Sequence, residues 1–126
     1  MADERYETGM SVRREVLGDA HVDRAIAGTV DFTASFQEFI TRYAWGDIWA
    51  REALSRQFRS AITLAVLTAL GREGELEIHV RGALRNGLTP EQIAEVLLHT
   101  AVYAGVPAAN AAFSVAREVL EREGAI

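Results

Sequence analysis

Residues Phe58–Gly87 read FRSAITLAVLTALGREGELEIHVRGALRNG, and the fold turns on how this stretch is read. Between Ala61 and Leu70 only Thr63 and Thr68 are polar, and they fall on different sides of a helix. A helix that is apolar nearly all round belongs at the centre of a bundle, with other helices covering it. Gly71 is placed to close it, and a second helix is expected from about Glu73 to an αL-type stop at Asn86-Gly87. At about 100° per residue, Leu76, Val80, Ala83 and Leu84 make the apolar stripe of that second helix, and Glu77, Arg81 and Arg85 point to water. Arg72, Glu75, His79, Gly82 and Asn86 occupy a third sector roughly 80° wide.

Glu75 and His79 are i,i+4 neighbours within hydrogen-bonding reach. Gly82 costs about 1 kcal/mol against alanine in a helix, yet it leaves space beside that pair. A carboxylate and an imidazole next to a gap, at the edge of a core, suit the floor of a pocket. An exposed ion pair with an incidental glycine fits the same spacing, so spacing alone leaves both open.

Outward from this hairpin the chain reads as helices joined by short loops. Residues 1–5 are expected to fray. Tyr6–Leu17 forms a short amphipathic helix with Met10, Val12, Val16 and Leu17 inward, stopped by Gly18. Asp19 is placed to cap a helix through His21–Ala27, with Gly28 kinking or ending it. Phe32, Phe36, Phe39, Ile40 and Tyr43 recur at helical spacing over Asp31–Tyr43, an aromatic stripe read as core. Both tryptophans, Trp45 and Trp49, flank Gly46 in the segment that follows. They suit a plug at a bundle end or subunit interface, or equally the apolar wall of a small-molecule site. Ser55 suits an N-cap for the central helix. Arg59, in its first turns, opposes the helix dipole, which suggests another task such as gripping an anion.

Beyond the hairpin, Thr89-Pro90-Glu91-Gln92 is a capping box with proline at N1, opening a helix over Pro90–Ala104. Gly105-Val106-Pro107 breaks it, and a last helix spans Pro107–Glu123, with Ala108, Ala109, Ala111 and Ala112 permitting close helix contact. Asn110 falls near Tyr103 across the break. The expected fold is all-α, a compact bundle of about six or seven helices in one domain over residues 1–126. Glu75/His79 and Glu95/His99 share a Glu-x3-His pattern, but bundle di-metal sites use Glu-x-x-His, so no metal site is assigned.

Composition narrows the functions. The 126 residues contain no cysteine, which excludes disulfides, zinc-thiolate sites and thiol chemistry. A net charge of −5 without a basic block argues against nucleic acid or an anionic membrane as partner. The N-terminal residues lack an apolar signal region and no apolar run reaches membrane length, so a cytoplasmic protein is expected. With 49% hydrophobic residues and only about two-thirds of the unfolded surface buried by a lone domain of this size, self-association is expected as well.

Taken in order, several motifs resemble the 4-carboxymuconolactone (γ-carboxymuconolactone) decarboxylases, within the carboxymuconolactone decarboxylase and alkylhydroperoxidase-like family. They are Phe36-Gln37-Glu38, Trp45-Gly46-Asp47-Ile48-Trp49, Arg59-Ser60 leading into Thr63-Leu64-Ala65, and Glu75-Leu76-x-x-His79. Gly82-Ala83-Leu84-Arg85-Asn86-Gly87, Glu95-Val96-Leu97-Leu98 and Tyr103-Ala104-Gly105-Val106-Pro107-Ala108-Ala109-Asn110 continue the series. The likeness runs from about Arg13 to Leu120. Thiol peroxidase relatives carry Cys-x-x-Cys-x-x-x-His in the corresponding helix; their cysteines match Arg72 and Glu75 here, their upstream glutamate matches Ser60, and only His79 is retained. Peroxidase chemistry is therefore absent.

The resemblance implies cofactor-free loss of CO2 from 4-carboxymuconolactone, a dicarboxylate lactone, to give 3-oxoadipate enol-lactone in the protocatechuate branch of aromatic catabolism. It also implies an all-α homo-oligomer, commonly a hexamer. In that substrate the departing carboxylate sits γ to the ring carbonyl across a C=C bond, so the electrons left by CO2 flow to the carbonyl oxygen as a dienolate. The substrate is its own electron sink. The protein must supply cations for the carboxylates, donors for the oxyanion, and an acid for the ring carbon. Arg59 and Arg72 suit the carboxylates. His79 suits the acid, with Glu75 holding its tautomer or itself carrying the proton if burial raises its pKa. Trp45 and Trp49 suit a dry wall. Tyr103 and Asn110 are candidate oxyanion donors, and His21 a further substrate-binding candidate. The same fold acting on another lactone or keto acid, or a non-catalytic oligomeric binding module, is the alternative.

Overall fold

The structure is a computed structural model describing residues 3–126. Its secondary structure is helical: α1 (Glu4–Leu17), α2 (Asp19–Ala27), α3 (Asp31–Ile40), a π-helix (Thr41–Trp49), α4 (Arg56–Leu70), α5 (Glu73–Arg85), α6 (Pro90–Ala104) and α7 (Val106–Arg122). The all-α expectation holds, with no strand among the described residues. No helix among them is long and apolar enough to cross a membrane. The chain divides into two compact units, the first ending at Ser55 and the second spanning Arg56–Ile126.

In the first unit α1 packs along the π-helix, while α2 folds onto α1 and α3 runs directly into the π-helix. Contrary to the expected fraying, α1 begins at Glu4, because the Asp3 carboxylate caps it by accepting a hydrogen bond from the Tyr6 N–H at 3.2 Å. The rest of that expectation, at residues 1 and 2, lies outside the described residues. Asp19 is likewise not a cap but the first residue of α2, preceded by Gly18 at φ 90°. Arg14 bridges the Asp19 and Asp23 carboxylates at 3.1 and 2.9 Å.

The α1 crossing is close because two glycines meet it. A Cβ on Gly9 would overlap the Thr41 carbonyl oxygen, and one on Gly46 would stand 2.5 Å from the Arg5 carbonyl oxygen. Arg13 of α1, which the amphipathic pattern treats as solvated, is buried instead. Its guanidinium donates to Thr41 Oγ1 at 3.3 Å and to Gln37 Oε1 at 3.1 Å.

The aromatic stripe of α3 is not core in the single chain. Phe32 is 95% exposed, and Phe36, Phe39 and Tyr43 are also exposed, with Phe39 stacked on Tyr43 at 5.3 Å. Helical spacing shows that a face is apolar, but not which surface covers it.

The second unit is a four-helix arrangement in which α5 packs on α4 and α7, and α6 on α4 and α7. Leu64, Leu76, Val80, Ile93, Leu97 and Val119 fill its centre, each worth about 1.5–3 kcal/mol on burial. Ala109, Ala112 and Ala116 bring α7 close to its neighbours. Gly71 at φ 70° ends α4, and the expected capping box opens α6: Thr89 Oγ1 accepts from the Gln92 N–H at 3.1 Å and Gln92 Oε1 from the Thr89 N–H at 2.9 Å. α4 begins at Arg56, directly after Ser55. It is central but only partly covered, since Leu64 is buried while Phe58, Ile62, Val66 and Leu70 are exposed.

Candidate active site

The chemistry-bearing sector of α5 changes character along its length. Leu76, Val80 and Ala83 form the buried stripe, and burial extends around the helix to His79 and Gly82. Arg72 and Glu75, at the N-terminal end of the same sector, are exposed. Asn86, at the C-terminal end, is half-buried and donates a hydrogen bond from Nδ2 to Ser60 Oγ of α4 at 2.8 Å. The sector is therefore open to solvent at the Arg72–Glu75 end and walled by α4 at the other. His79, 9% exposed, lies at the transition.

A buried imidazole at such a boundary can exchange a proton with a ligand while staying shielded from bulk water. Glu75 precedes His79 by one helical turn on the same helix. Arg59 is half-buried in the first turn of α4, next to Ser60.

Other residues singled out in the sequence lie elsewhere. Tyr103 is 81% exposed near the end of α6, where it stacks on His99 at 5.4 Å. Asn110 is exposed in the first turns of α7, so the structure does not bury either as an oxyanion donor in the single chain. In the first unit, Trp45 is buried and Trp49 half-buried, their rings 5.1 Å apart and tilted by 30°. The two stand four residues apart on the π-helix, where the Ala50 N–H bonds the Trp45 carbonyl five residues back at 3.1 Å. His21 is half-buried on α2. No group of three or more His, Asp or Glu side chains suited to a metal lies among the described residues. An apolar groove of about 840 Å³ runs between α4 and α6, with Glu95 and His99 among its lining. Sequence reasoning passed over Ser60 and the Asn86 amide as partners, because their pairing spans 26 residues and has no local spacing signal.

The described chain is an all-α protein with a shielded histidine on α5 and arginines at the starts of α4 and α5. Residues 34–118 match the carboxymuconolactone decarboxylase family, and the chain belongs to that family. It is 48% identical to the 4-carboxymuconolactone decarboxylase of Acinetobacter baylyi, over 97% of this chain and 91% of that protein. It is 39% identical to the nitrosuccinic acid decarboxylase npaB of Metarhizium robertsii, over 91% of this chain and 80% of that protein. A 4-carboxymuconolactone decarboxylase sequence from Pseudomonas putida is 61% identical over 44 residues, 35% of this chain and 92% of that sequence.

Proposed function

We propose that this protein is a carboxy-lyase that removes CO2 from 4-carboxymuconolactone and protonates the resulting dienolate to give 3-oxoadipate enol-lactone, within cytoplasmic aromatic catabolism. The observation that carries this reading is the shielded position of His79 on α5, beside Gly82 and below the exposed Arg72–Glu75 end.

The bond from the γ ring carbon to its carboxylate breaks, CO2 leaves, and the electron pair passes through the C=C bond to the lactone carbonyl oxygen. The His79 imidazolium then delivers its proton to the ring carbon α to that carbonyl and is recharged from solvent. Glu75, one helical turn from His79, supports it or carries the proton itself. Arg59 and Arg72 hold the carboxylates, because a planar guanidinium binds a carboxylate through two parallel N–H bonds. Tyr103, Asn110, Trp45, Trp49 and His21 are carried as substrate-binding candidates, each open to substitution and measurement of KM. Self-association into a homo-oligomer, a hexamer by family likeness, is part of the same proposal. The exposed apolar side chains of α3, α4 and α6 support it.

The nitrosuccinic acid decarboxylase relative favours a second reading, in which this chain acts on a nitro-dicarboxylate. The chemistry is parallel: the carboxylate next to a nitro group leaves its electrons on the nitro oxygens, again an oxyanion formed within the substrate. Incubating the purified protein with each compound and following CO2 separates the two. Turnover of 4-carboxymuconolactone with little or none of nitrosuccinate is the expected result. The opposite preference would move the substrate assignment, and inertness towards both would overturn the catalytic reading.

A further inference from the structure

Ser60 of α4 and Asn86 at the end of α5 are bonded to one another, Asn86 falls in the same α5 sector as His79, and neither has a part in the chemistry above. Ser60 is 1% exposed. Thr41, Thr63 and Thr100 each donate to the carbonyl four residues back, at 2.7, 2.8 and 2.7 Å. Ser60 Oγ instead meets Asn86 Nδ2 at 2.8 Å, and neither side chain makes another hydrogen bond among the described residues.

An amide carries two N–H donors and a hydroxyl one O–H donor, three polar hydrogens in all. Their mutual bond consumes one, whichever way the amide is turned. The pair therefore holds two uncommitted hydrogens at a half-buried position, an arrangement disfavoured unless something accepts them.

Asn86 stands seven residues beyond His79, within about 20° of it around the helix axis and about 10 Å along it. Side chains on a helix lean towards its N-terminus, so the Asn86 amide leans over Gly82, where no side chain intervenes.

We propose that Asn86 is a catalytic hydrogen-bond donor to the oxyanion that develops as CO2 departs, and that Ser60 is the positioning residue that fixes its amide. This rests on the decarboxylase reading above. Neutral donors suit the task, since a third cation would compete for the two ground-state carboxylates and misorient the substrate. An amide binds the neutral carbonyl weakly and the developing oxyanion strongly, which is the differential binding that lowers a barrier.

The test pairs kinetics with binding of a stable lactone enolate, the tetronate anion. Asn86→Asp keeps the side chain's shape but sets a carboxylate against the oxyanion. It is expected to lower kcat about 10²–10³-fold with much less change in KM, and to weaken tetronate binding at least about tenfold. Ser60→Ala deletes only a hydroxyl and is expected to lower kcat about three- to tenfold, so it carries the test should Asn86→Asp lower Tm. Normal kcat in both variants, with an active parent protein, overturns the proposal and leaves the decarboxylase reading standing. If the parent protein does not turn over 4-carboxymuconolactone, that reading fails by itself. Tetronate affinity then decides: equal binding by parent and variants overturns the donor role, and weakened binding upholds it.

Discussion

Arg59 stands in the first turn of α4, where a positive charge opposes the partial positive charge of the helix N-terminus. If it is there to hold a substrate carboxylate, lysine cannot replace it, because an ammonium does not make the planar two-pronged contact. Arg59→Lys is therefore expected to lose roughly ten- to a hundredfold in kcat/KM, about 1.5–3 kcal/mol for one charge-assisted contact. Arg59→Gln is expected to melt at or slightly above the parent temperature. A lowered Tm with unchanged kinetics in Arg59→Gln would make Arg59 a structural ion-pair partner. At this scale the sequence was partly legible. The wheel of α5 put His79 and Gly82 beside the apolar stripe, and both are buried with it, since a 3.6-residue period fixes which positions adjoin. It did not reveal that Glu75 and Arg72 are exposed while His79 is buried, because that depends on where neighbouring helices end. Arg13 was illegible for a related reason: its partners Thr41 and Gln37 lie 28 and 24 residues away.

Helix ends were the most legible elements, because their signals are local. Gly18, Gly71, Gly87 and Gly105 all take positive φ, a conformation that glycine adopts without strain. The π-helix was not legible, since five-residue hydrogen bonding has no composition of its own, and the Trp-Gly-Trp segment signalled only that something unusual occurs there. Close packing of α1 against it gives a direct test. Gly9→Ala is expected to destabilise the fold by about 1–3 kcal/mol, because the new methyl meets backbone rather than a yielding side chain. Gly74→Ala in α5, where an added Cβ meets nothing within 4 Å, is expected to stabilise by about 0.4–1 kcal/mol. Denaturant unfolding of the two variants checks the pair, and equal effects would contradict the described crossing. At the start of α1, the hydrogen bond from Arg42 holds the Asp3 carboxyl below its ordinary value of 3.8, with the Tyr6 N–H adding to it. A lowered folded pKa gives stability that is present above the ordinary value and lost as pH falls through the lowered one. Helicity is therefore expected to decline on the acid side, and Asp3→Asn, an equally good cap without the charge, should lack that component. An identical acid profile in Asp3→Asn would remove Asp3 as its source.

At the scale of the whole molecule, one chain leaves much apolar surface in water. Phe32, Phe36 and Phe39 in the first unit and Phe58, Ile62, Val102 and Tyr103 in the second are all exposed. Surfaces of this kind mark association sites. The 13.8 kDa chain is expected to run as a multimer in light scattering at micromolar concentration, and a mass equal to one chain would contradict self-association. The all-α class was legible in the sequence because period, caps and glycine stops agree along the chain. The covering of α3 and α4 was not, because a period identifies an apolar face without naming its partner. In the proposed reaction His79 delivers the proton that completes decarboxylation. The most direct test of that role is the turnover of 4-carboxymuconolactone by His79→Ala beside the parent protein, followed as CO2 and lactone product, with circular dichroism confirming the fold. A fall in kcat of roughly 10²–10⁴ is expected, the range for losing a general acid. Near-parental turnover by His79→Ala would contradict that role.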